Sequence, residues 1–467
     1  MVVGDIEVGT DVLVIGAGPA GYTAAIRLGQ MGMDVTLVGP EIGGICLNHG
    51  CIPVKGIVRT LDLVADVTAA EARGIKAHGV EVDLNKVQAW NAQVIRKLQA
   101  GIRSLLNASG VQLFEGTCSF TSSTTAVVRI HGSTQHIRFR KAVIATGMHY
   151  IVPEGIRPDG RRIIFPHAVA HLHKVPGTAV ILGGGIDGAT MASLLAKMGT
   201  RVTLAYKSAS LVPAIDDDVL QPAMKSLADL GVQTFPQASW EVHSEGGEVV
   251  IRSGNETTTR TPDLILICSP TKANVQNLSL DRTKVRLTDK GFVEVDDRYR
   301  TADPSIYAIG DVLGGRRNAS VAFRDGLSVA NIIAGKPGLP DYQAMTLTIE
   351  AGLDIASAGM GEKEAKKAGI DVTVSRSPYS ANGGAATYGK QDGFIKVVAE
   401  KQTGRILGTQ IVGPRAGDLI GEALLAIEMG ARLEDVALTL HPHPELNEIF
   451  ADACARAAGL SANVVKK

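Results

Sequence analysis

The apolar and polar residues of this chain follow a pattern that occurs twice: a short apolar run, a glycine-rich turn, a helical segment and a second apolar run. In the first copy the apolar runs are Val12–Ile15 and Val35–Val38, and Tyr22–Gly32 between them has a helical pattern. In the second copy Ala179–Leu182 and Arg201–Ala205 flank the helical segment. Each copy therefore predicts a β-strand, a helix and a second β-strand.

Both turns have the G-x-G-x-x-G spacing of dinucleotide-binding units. Their glycines are Gly16, Gly18 and Gly21 in the first copy and Gly183, Gly185 and Gly188 in the second. Glycine permits the tight turn, the approach of a pyrophosphate and close helix–strand packing, while the helix N-terminus offers free N–H groups to phosphates. One such motif alone is weak evidence, because glycine turns also join strands to helices for structural reasons. Two copies with matching flanks predict two dinucleotide sites.

The pattern outside these copies predicts further helices and strands. A helical segment is predicted for Val58–Leu106, with short strands at Val111–Phe114 and Ala126–Ile130. The segment from about residue 343 onward is predicted to contain strands Phe394–Val398 and Gly408–Val412 and helices Gly417–Met429 and Pro444–Ala457. This last part of the chain is therefore expected to be a mixed α+β region.

Composition narrows the classes of function. A chain of 467 residues is long enough for two to four domains. Its 47 acidic residues equal its 47 basic ones, so neither a nucleic-acid partner nor a polybasic membrane patch is indicated. The first residues lack a signal-peptide pattern, and no run of 18 apolar residues predicts a membrane span. Five cysteines are too few for a disulfide scaffold, and a reducing cytoplasm is the expected location.

Two of the cysteines lie close together, in the segment Gly43–Lys55. Cys46 and Cys51 are separated by four residues, so a disulfide between them would close a small loop whose thiols stay near each other once reduced. A packing pair and half of a metal site are the alternatives, but zinc needs two further close ligands and His49 alone does not supply them. The segment therefore predicts a redox-active thiol pair and no metal.

The order Gly-Gly-x-Cys-x4-Cys-x-Pro-x-Lys, downstream of a dinucleotide-binding start, resembles the redox centre of the pyridine nucleotide-disulfide oxidoreductases, most closely their dihydrolipoamide dehydrogenase branch. The resemblance extends over nearly the whole chain. It implies an α/β fold with two Rossmann-like dinucleotide-binding domains, for FAD and NAD(P), and a C-terminal α+β dimerisation domain. The implied boundaries are 1–150 and 276–342 for FAD, 151–275 for NAD(P), and 343–467 for the interface domain.

The resemblance also implies roles around the flavin. Cys46 is the interchange thiol that meets the substrate, Cys51 is the thiol beside the flavin, and Lys55 lies near flavin N5, where a positive charge favours the reduced ring. The other residues expected at FAD are the glycines of the first turn together with Glu41, Thr146, Gly147 and Asp311. Asp311 ends a match to the family's second flavin motif, and its alternative role is that of a helix N-cap without a ligand.

A second patch, residues 441–448, resembles the acid–base segment of the same branch. It assigns His443 as the acid–base group and Glu448 as the carboxylate that orients its imidazole, with Glu445 a less favoured partner and His441 structural. Histidine titrates near neutrality, so it can take a proton from an attacking thiol. In the family this pair reaches the active site of the opposite subunit, which implies a homodimer with a shared site. Pro444 is expected in the first turn of the following helix.

Several nucleotide-binding positions depart from the family pattern. Gly39 stands where an acidic residue usually binds the FAD ribose, and nearby Glu41 is expected to replace it. At the second site Tyr206 and Lys207 stand where a glutamate usually selects NAD, so NAD is favoured but NADP stays open. Thr190 replaces a glutamate that usually faces the flavin lysine. These departures favour a specialised member of the family with an unusual lipoyl-carrying partner.

The predicted function is oxidation of the dihydrolipoyl group of a lipoyl-carrying protein, with electrons passing through the Cys46–Cys51 disulfide and FAD to NAD(P)+. One alternative is another NAD(P)H-dependent disulfide reductase, of the glutathione reductase kind. The second alternative is a flavin-binding redox sensor or assembly subunit with weak nicotinamide turnover. Anaerobic reduction by a dithiol, followed by reoxidation with the nucleotide, separates an enzyme from a sensor.

Overall fold

The computed structural model describes residues 7–130, 132–243, 247–315, 318–338, 342 and 344–463. Within those ranges the helices are α1 (Pro19–Gln30), α2 (Gly44–Asn48), α3 (Cys51–Thr68), α4 (Leu84–Ala108), α5 (Gly185–Lys197), α6 (Asp217–Asp229), α7 (Ala319–Ile333), α8 (Glu362–Lys367), α9 (Gly383–Tyr388), α10 (Ala416–Glu428), α11 (Leu433–Ala437) and α12 (Glu448–Ala458). Short 3-10 turns lie at Ala69–Arg73, Pro166–His171, Leu280–Arg282, Gly310–Leu313 and Tyr379–Ala381.

The strands of the same ranges are β1 (Glu7–Ile15), β2 (Val35–Gly39), β3 (Gln112–Glu115), β4 (Thr117–Ser122), β5 (Thr125–Ile130), β6 (Ser133–Ile144), β7 (Met148–Tyr150), β8 (Ile163–Ile164), β9 (Thr178–Leu182), β10 (Arg201–Ala205), β11 (Gln233–Phe235), β12 (Ser239–His243), β13 (Glu248–Ser253), β14 (Glu256–Arg260), β15 (Leu264–Ile267), β16 (Thr271–Ala273), β17 (Ile306–Ala308), β18 (Thr346–Ala351), β19 (Leu353–Gly359), β20 (Val372–Pro378), β21 (Phe394–Glu400) and β22 (Ile406–Val412). No helix in the described part of the chain is long and apolar enough to span a bilayer.

The first of two compact units lies within Met1–Pro153, Phe165–Lys174 and Ser269–Pro340. Its main sheet has the order β3–β2–β1–β6–β5–β4, and β17 also pairs with β6. Strand β1 is parallel to β2 and β6, whereas β4, β5 and β6 pair antiparallel. Residues Val12–Ile15 of β1 are buried throughout, as expected for a strand covered on both faces. Helices α1 and α7 pack against each other beside this strand.

The second unit lies within Glu154–Ile164, Val175–Cys268 and Asp341–Lys467. It contains a parallel sheet of order β11–β10–β9–β15–β8 and a three-stranded antiparallel sheet, β12–β13–β14. Its third sheet, β18–β19–β22–β21–β20, is antiparallel and carries α10 and α12. The second predicted strand–turn–helix–strand is therefore present as β9, α5 and β10.

Two predicted helical segments differ from the structure. Val58–Leu106 spans two helices, because Gly74 adopts a positive φ at the end of the 3-10 turn and Asp83 starts α4 by accepting hydrogen bonds from the next backbone N–H groups. The last helix begins at Glu448 instead of Pro444. Its delayed start reflects the Glu445 N–H, which donates to the Glu448 carboxylate 3.0 Å away, ahead of the helix.

A buried lysine holds together three elements of the second unit. Lys396 in β21 is 1% exposed, and its Nζ lies 3.0 Å from Asp216, 2.9 Å from Asp218 and 2.7 Å from Glu362. Burial alone would lower the pKa of Lys396, but hydrogen bonds to these carboxylates raise it above its ordinary value. The charged ammonium therefore links β21 to the starts of α6 and α8.

Replacing Lys396 by methionine is expected to lower the free energy of unfolding by about 3–5 kcal/mol, because the buried carboxylate of Asp216 loses its counter-charge. Denaturant unfolding followed by circular dichroism measures the change. The control is Lys401→Met, whose pair with Asp371 is exposed and worth about 0–1 kcal/mol. Equal unfolding midpoints for the two variants would contradict the assigned role of Lys396.

Candidate active site and nucleotide sites

The first glycine turn leaves space in front of helix α1. Gly16 has a φ of +111°, and a Cβ there would collide with the carbonyl oxygen of Ala145; a Cβ on Gly21 would collide with the Gly16 carbonyl. Gly18, the N-cap of α1, has only the Gly44 Cα within 4.0 Å of such an added carbon. No side chain caps this twelve-residue helix, so its first N–H groups are available to a pyrophosphate.

In the second glycine turn, too, some glycines are tightly packed and one has space in front of the helix. Gly183 has a φ of +122°, and a Cβ on Gly183 or Gly188 would collide with a backbone carbonyl. A Cβ on Gly185, the first residue of α5, would meet no atom within 4 Å. The N-cap Gly184 provides no side-chain hydrogen bond to the helix. Both turns therefore fit the dinucleotides implied by the sequence, since each combines close packing with a helix N-terminus that no side chain caps.

The strand that closes the first dinucleotide unit brings Thr146 to the glycine turn. A Cβ on Gly16 would lie 2.8 Å from the Thr146 backbone nitrogen. The Thr146 Oγ1 is buried without a hydrogen-bond partner in the described residues, and Gly147 has a positive φ of +73°. An unsatisfied buried hydroxyl beside this turn fits a polar ligand group there.

Asp311 lies in a short 3-10 turn, Gly310–Leu313, directly after β17. The N-cap of this turn is Ile309, so Asp311 does not hold the N-cap position considered as its alternative. Its carboxylate is close enough to the redox segment that its negative charge contributes to raising the pKa of Cys46. The second flavin motif and the cysteine segment therefore meet within the first unit.

Asp325, which the sequence did not single out, positions that motif. It is 2% exposed on α7, accepts a hydrogen bond from the Tyr299 hydroxyl at 2.7 Å, and accepts one from the Gly310 N–H at 3.0 Å. The chain spacing between Gly310 and Asp325 gives no local signal, because the contact depends on how α7 packs on α1. An Asp in an apolar helix is the only hint available in the sequence.

Replacing Asp325 by alanine is expected to weaken FAD retention about tenfold to a hundredfold, since a buried hydrogen bond to a charged group contributes about 1.5–3 kcal/mol. Asp325→Asn keeps an acceptor oxygen and is expected to retain more flavin. The ratio of flavin to protein after dialysis measures the effect, with Asp281→Asn, an exposed carboxylate, as the control. Full flavin content in the alanine variant would refute this role.

The redox cysteines lie on two consecutive helices. Cys46 is in α2 and Cys51 is the first residue of α3; neither sulfur is in a disulfide, and the two are hydrogen bonded to each other. The buried side chain of Asn48 fixes the intervening segment by donating to the Ile42 carbonyl at 2.9 Å and accepting from Gln99 at 3.0 Å. The cysteine segment is thus held from both sides.

The two thiols differ in their environment. Cys46 is half-buried and Cys51 is exposed. The hydrogen bond with Cys51, and then burial, hold the pKa of Cys46 well above its ordinary value, and the Asp311 charge adds to the shift. Lys55 lies one helical turn after Cys51, on the same face of α3.

The other cysteines have no such arrangement. Cys118 and Cys454 are buried, and burial raises the pKa of Cys118 to about 12. Cys268 is half-buried. Among residues that the structure covers, no group of three or more His, Cys, Asp or Glu side chains is arranged to hold a metal ion.

Glu41 takes part in a chain of hydrogen bonds that includes His49, one of the four residues between the two cysteines. His49 Nε2 lies 3.1 Å from the Glu41 carboxylate, and His49 Nδ1 lies 2.9 Å from His171 Nε2. A carboxylate can only accept, so His49 donates through Nε2; its Nδ1 then accepts from His171 when both rings are neutral. Burial, followed by the neighbouring His49, lowers the pKa of His171.

The close packing of Gly39, the last residue of β2, explains why no acid stands there. A Cβ on Gly39 would lie 2.7 Å from both the Cβ and the backbone nitrogen of Ala17 in the glycine turn. A side chain there would push the turn away from β2. Glu41 is expected to bind the FAD ribose in place of that acid, but one oxygen of its carboxylate also bonds His49.

The two histidines of the C-terminal patch, residues 441–448, differ in exposure and in hydrogen bonding. His443 is 78% exposed, and its Nδ1 lies 2.9 Å from the Glu448 carboxylate, which leaves Nε2 as the proton-accepting nitrogen. His441 is 6% exposed and has both nitrogens engaged, with Glu422 at 2.7 Å and the Thr439 carbonyl at 2.8 Å. The other oxygen of Glu448 accepts from the Glu445 N–H, so Glu445 contributes its backbone here.

Comparison with known proteins agrees with this geometry. Residues 10–326 match the model of the pyridine nucleotide-disulphide oxidoreductases, and residues 347–454 match the dimerisation domain of the same family. The chain is 37% identical to the dihydrolipoyl dehydrogenase of Geobacillus stearothermophilus over the full length of both. It is 35% identical to that of Bacillus subtilis, again over both full lengths, and 37% identical to dihydrolipoyl dehydrogenase 2 of Haloarcula marismortui over 98% of this chain and 99% of that one.

Solved structures show the same fold. LpdA from Mycobacterium tuberculosis superposes with a TM-score of 0.87 at 24% identity, covering 96% of this chain and 99% of that one. The flavoprotein disulfide reductase RclA from Escherichia coli superposes with a TM-score of 0.84 at 24% identity, covering 95% and 99%. The predicted fold class, two Rossmann-like domains and a C-terminal dimerisation domain, is confirmed.

These matches make the protein a flavin-dependent disulfide oxidoreductase of the dihydrolipoyl dehydrogenase class, with FAD and NAD(P) as cofactors and a domain of the kind that forms homodimers. From its first glycine turn to its last helix, the chain belongs to the pyridine nucleotide-disulphide oxidoreductase family.

Proposed function

We propose that this enzyme oxidises the dihydrolipoyl group of a lipoyl-carrying protein in the cytoplasm. The observation that carries the proposal is the Cys46–Cys51 pair, whose thiols are hydrogen bonded across two consecutive helices. Dihydrolipoyl dehydrogenases at 35–37% identity over essentially the whole chain support the substrate class. A closely spaced thiol pair that must open and close in each cycle also suits a reducing compartment.

The residues of the C-terminal patch are proposed to handle the substrate proton. His443 Nε2 takes the proton of one dihydrolipoyl thiol, while Glu448 holds the ring by its Nδ1–H and stabilises the imidazolium. The resulting sulfur attacks Cys46 of the oxidised pair, the Cys46–Cys51 bond breaks, and its electron pair stays on Cys51. We propose that His443 acts on the cysteine pair of the opposite subunit in a homodimer.

The second lipoyl thiol completes the exchange. It loses its proton and attacks the lipoyl sulfur bound to Cys46, which closes the lipoyl disulfide and releases Cys46. Two electrons and two protons have then left the substrate, and Cys46 receives a proton, in line with its raised pKa. When bound, FAD supplies a two-electron acceptor that restores the disulfide and connects the pair to NAD(P)+. Lys55 is proposed to lie beside the flavin.

The proposed domain limits follow the sequence reading. Residues 1–150 and 276–342 would bind FAD, using Gly16, Gly18, Gly21, Glu41, Thr146, Gly147 and Asp311. Residues 151–275 would bind NAD(P), using Gly183, Gly185, Gly188, Tyr206 and Lys207. Residues 343–467 would form the dimer. The N-termini of α1 and α5, which no side chain caps, support the two nucleotide assignments.

An anaerobic titration of the holoenzyme tests this function. Dihydrolipoamide should bleach the flavin absorbance, and excess NAD+ or NADP+ should restore it in the same sample. A redox sensor would bleach but would not recover with either nucleotide. A lipoylated carrier domain should give a higher kcat/KM than free dihydrolipoamide, and equal values would argue against a dedicated lipoyl protein. Reduction by glutathione in place of the lipoyl dithiol would favour the glutathione reductase-like alternative.

A further inference from the structure

The loop that follows strand β10 lies against the second glycine turn. The Gly185 N–H donates to the Leu211 carbonyl at 2.8 Å, and a Cβ on Gly184 would come within 3.1 Å of the Tyr206 Cβ. In a dinucleotide-binding unit the residues just after this strand face the adenosine ribose. The chemistry of this loop therefore decides whether the ribose carries a free 2′-hydroxyl or a 2′-phosphate.

The loop presents no carboxylate. No aspartate or glutamate occurs between Arg201 and Ile215, so this loop offers no carboxylate to the 2′-hydroxyl of the adenosine ribose. Tyr206, at the position where an acid would select NAD, is buried, and burial raises its pKa. The phenol is therefore uncharged at neutral pH, and an anionic substituent at the 2′ position meets no repulsion from this residue.

Next to Tyr206 the loop holds a positive charge in place. The Lys207 ammonium lies 5.3 Å from the centroid of the Trp240 ring, which is in β12. A cation above an indole face gains about 0.5–1 kcal/mol at an exposed site, so the lysine is held near this loop. The loop also offers a hydroxyl, because Ser210 Oγ is buried without a hydrogen-bond partner in the described residues.

We propose that Lys207, held by Trp240, is a specificity-determining residue for the nucleotide 2′-phosphate, so that the second dinucleotide unit binds NADP(H) in preference to NAD(H). The inference rests on the proposed function only in that the nucleotide is the electron acceptor. Ser210 is the neutral donor beside the same phosphate. Asp187, in the first turn of α5, carries a charge that either nucleotide would meet equally.

Binding of two nucleotide fragments to the holoenzyme tests the proposal without any turnover. The dissociation constants of 2′,5′-ADP and 5′-ADP are measured by isothermal titration calorimetry at low and high salt. The wild type is expected to bind 2′,5′-ADP at least about tenfold more tightly, as one charge-assisted phosphate contact provides. The ratio should fall as salt screens the exposed lysine.

Variants identify the group responsible. Lys207→Met should remove most of the preference and change the 5′-ADP constant less than about twofold, because only the 2′-phosphate contact is lost. Trp240→Leu should partly reduce the preference for 2′,5′-ADP over 5′-ADP, and Trp240→Phe should reduce it less. The phenylalanine variant keeps an aromatic ring, so the test still holds if the leucine variant misfolds. Asp187→Asn should tighten both fragments by the same factor, and Lys225→Met, an exposed lysine on α6, should change neither.

Three results would overturn the proposal: equal or tighter binding of 5′-ADP by the wild type, an unchanged ratio in Lys207→Met, or no binding of either fragment. None of them touches the reduction of the cysteine pair by dihydrolipoamide. An enzyme that oxidises the dithiol and prefers NAD+ would therefore refute this specificity alone. An enzyme with the fragment preference but no reaction with dihydrolipoamide would refute the proposed function alone.

Discussion

Replacing Cys46 by serine is expected to lower kcat with dihydrolipoamide by more than about 10³-fold, because no mixed disulfide can form with the substrate. Cys51→Ser should lose turnover to the same extent, since the cysteine pair can no longer close. The measurement is NAD(P)+ reduction by the flavin-loaded variants, together with the flavin content of each. Cys118→Ala, which removes a buried thiol from β4, is the matched control. Turnover above one-hundredth of wild type in either serine variant would contradict the assigned chemistry.

The same variants test the unequal thiols. Cys51→Ser removes the sulfur whose hydrogen bond contributes most to raising the pKa of Cys46, and the new hydroxyl can donate to the Cys46 thiolate, so this pKa should fall. A lower pKa means a larger thiolate fraction at pH 7 to 8, and Cys46 should react faster with iodoacetamide than in the reduced wild type. Asp311→Asn should act in the same direction with a smaller effect. Slower alkylation in Cys51→Ser would contradict the role of Cys51 in raising the pKa of Cys46.

The second large effect is expected at His443. His443→Gln should lower kcat by about 10²–10⁴-fold, the usual contribution of a positioned acid–base group. The substrate thiol must then lose its proton to solvent, so the residual rate should rise with pH through the titration of that thiol. Glu448→Gln keeps the imidazole but weakens its orientation, and a smaller loss is expected. The pH profile of kcat in the three proteins is the measurement.

His78→Gln serves as the control for this series, because His78 is an exposed histidine on the segment between α3 and α4. His441→Gln should instead lower stability, since the buried His441 side chain bonds both Glu422 and Thr439. If His441→Gln reproduced the kinetic loss and pH profile of His443→Gln, the division of roles between the two histidines would be wrong.

Local sequence determined the parts of this protein that could be predicted without coordinates. The glycine turns depend on the φ angles of Gly16 and Gly183 and on contacts within a few residues, so their spacing was enough. His443 and Glu448 are only five residues apart, and the family resemblance had paired them. The predicted start of the last helix was wrong. Proline suits the first turn of helices in general, but here the Glu448 carboxylate accepts from the Glu445 N–H, and the helix begins only at Glu448.

Contacts between distant segments could not be read in this way. His49 and His171 are 122 positions apart, and their contact requires the segment 165–174 to return to the first unit. Trp240 reaches Lys207 because the residues just before β12 bond to the loop after β10, where the Gln237 N–H donates to the Ser208 carbonyl and the Ala238 N–H to the Tyr206 carbonyl. In the sequence nothing distinguishes His171 or Trp240 from an ordinary structural residue. Their partners follow only from the packing of the segments that carry them.

The hydrogen bonds that connect Glu41, His49 and His171 depend on how many protons the two imidazole rings carry. With both rings neutral it is complete; with one added proton His49 can donate from both nitrogens, and His171 accepts through Nε2. A second added proton places two N–H groups face to face at 2.9 Å, and the contact must open. Because the pKa of His171 is lowered, this happens only as the solution becomes acidic. The bond between His49 and the segment 165–174 is therefore made at neutral pH and lost in acid, while Glu41 and Asn48 still hold the segment between the two cysteines.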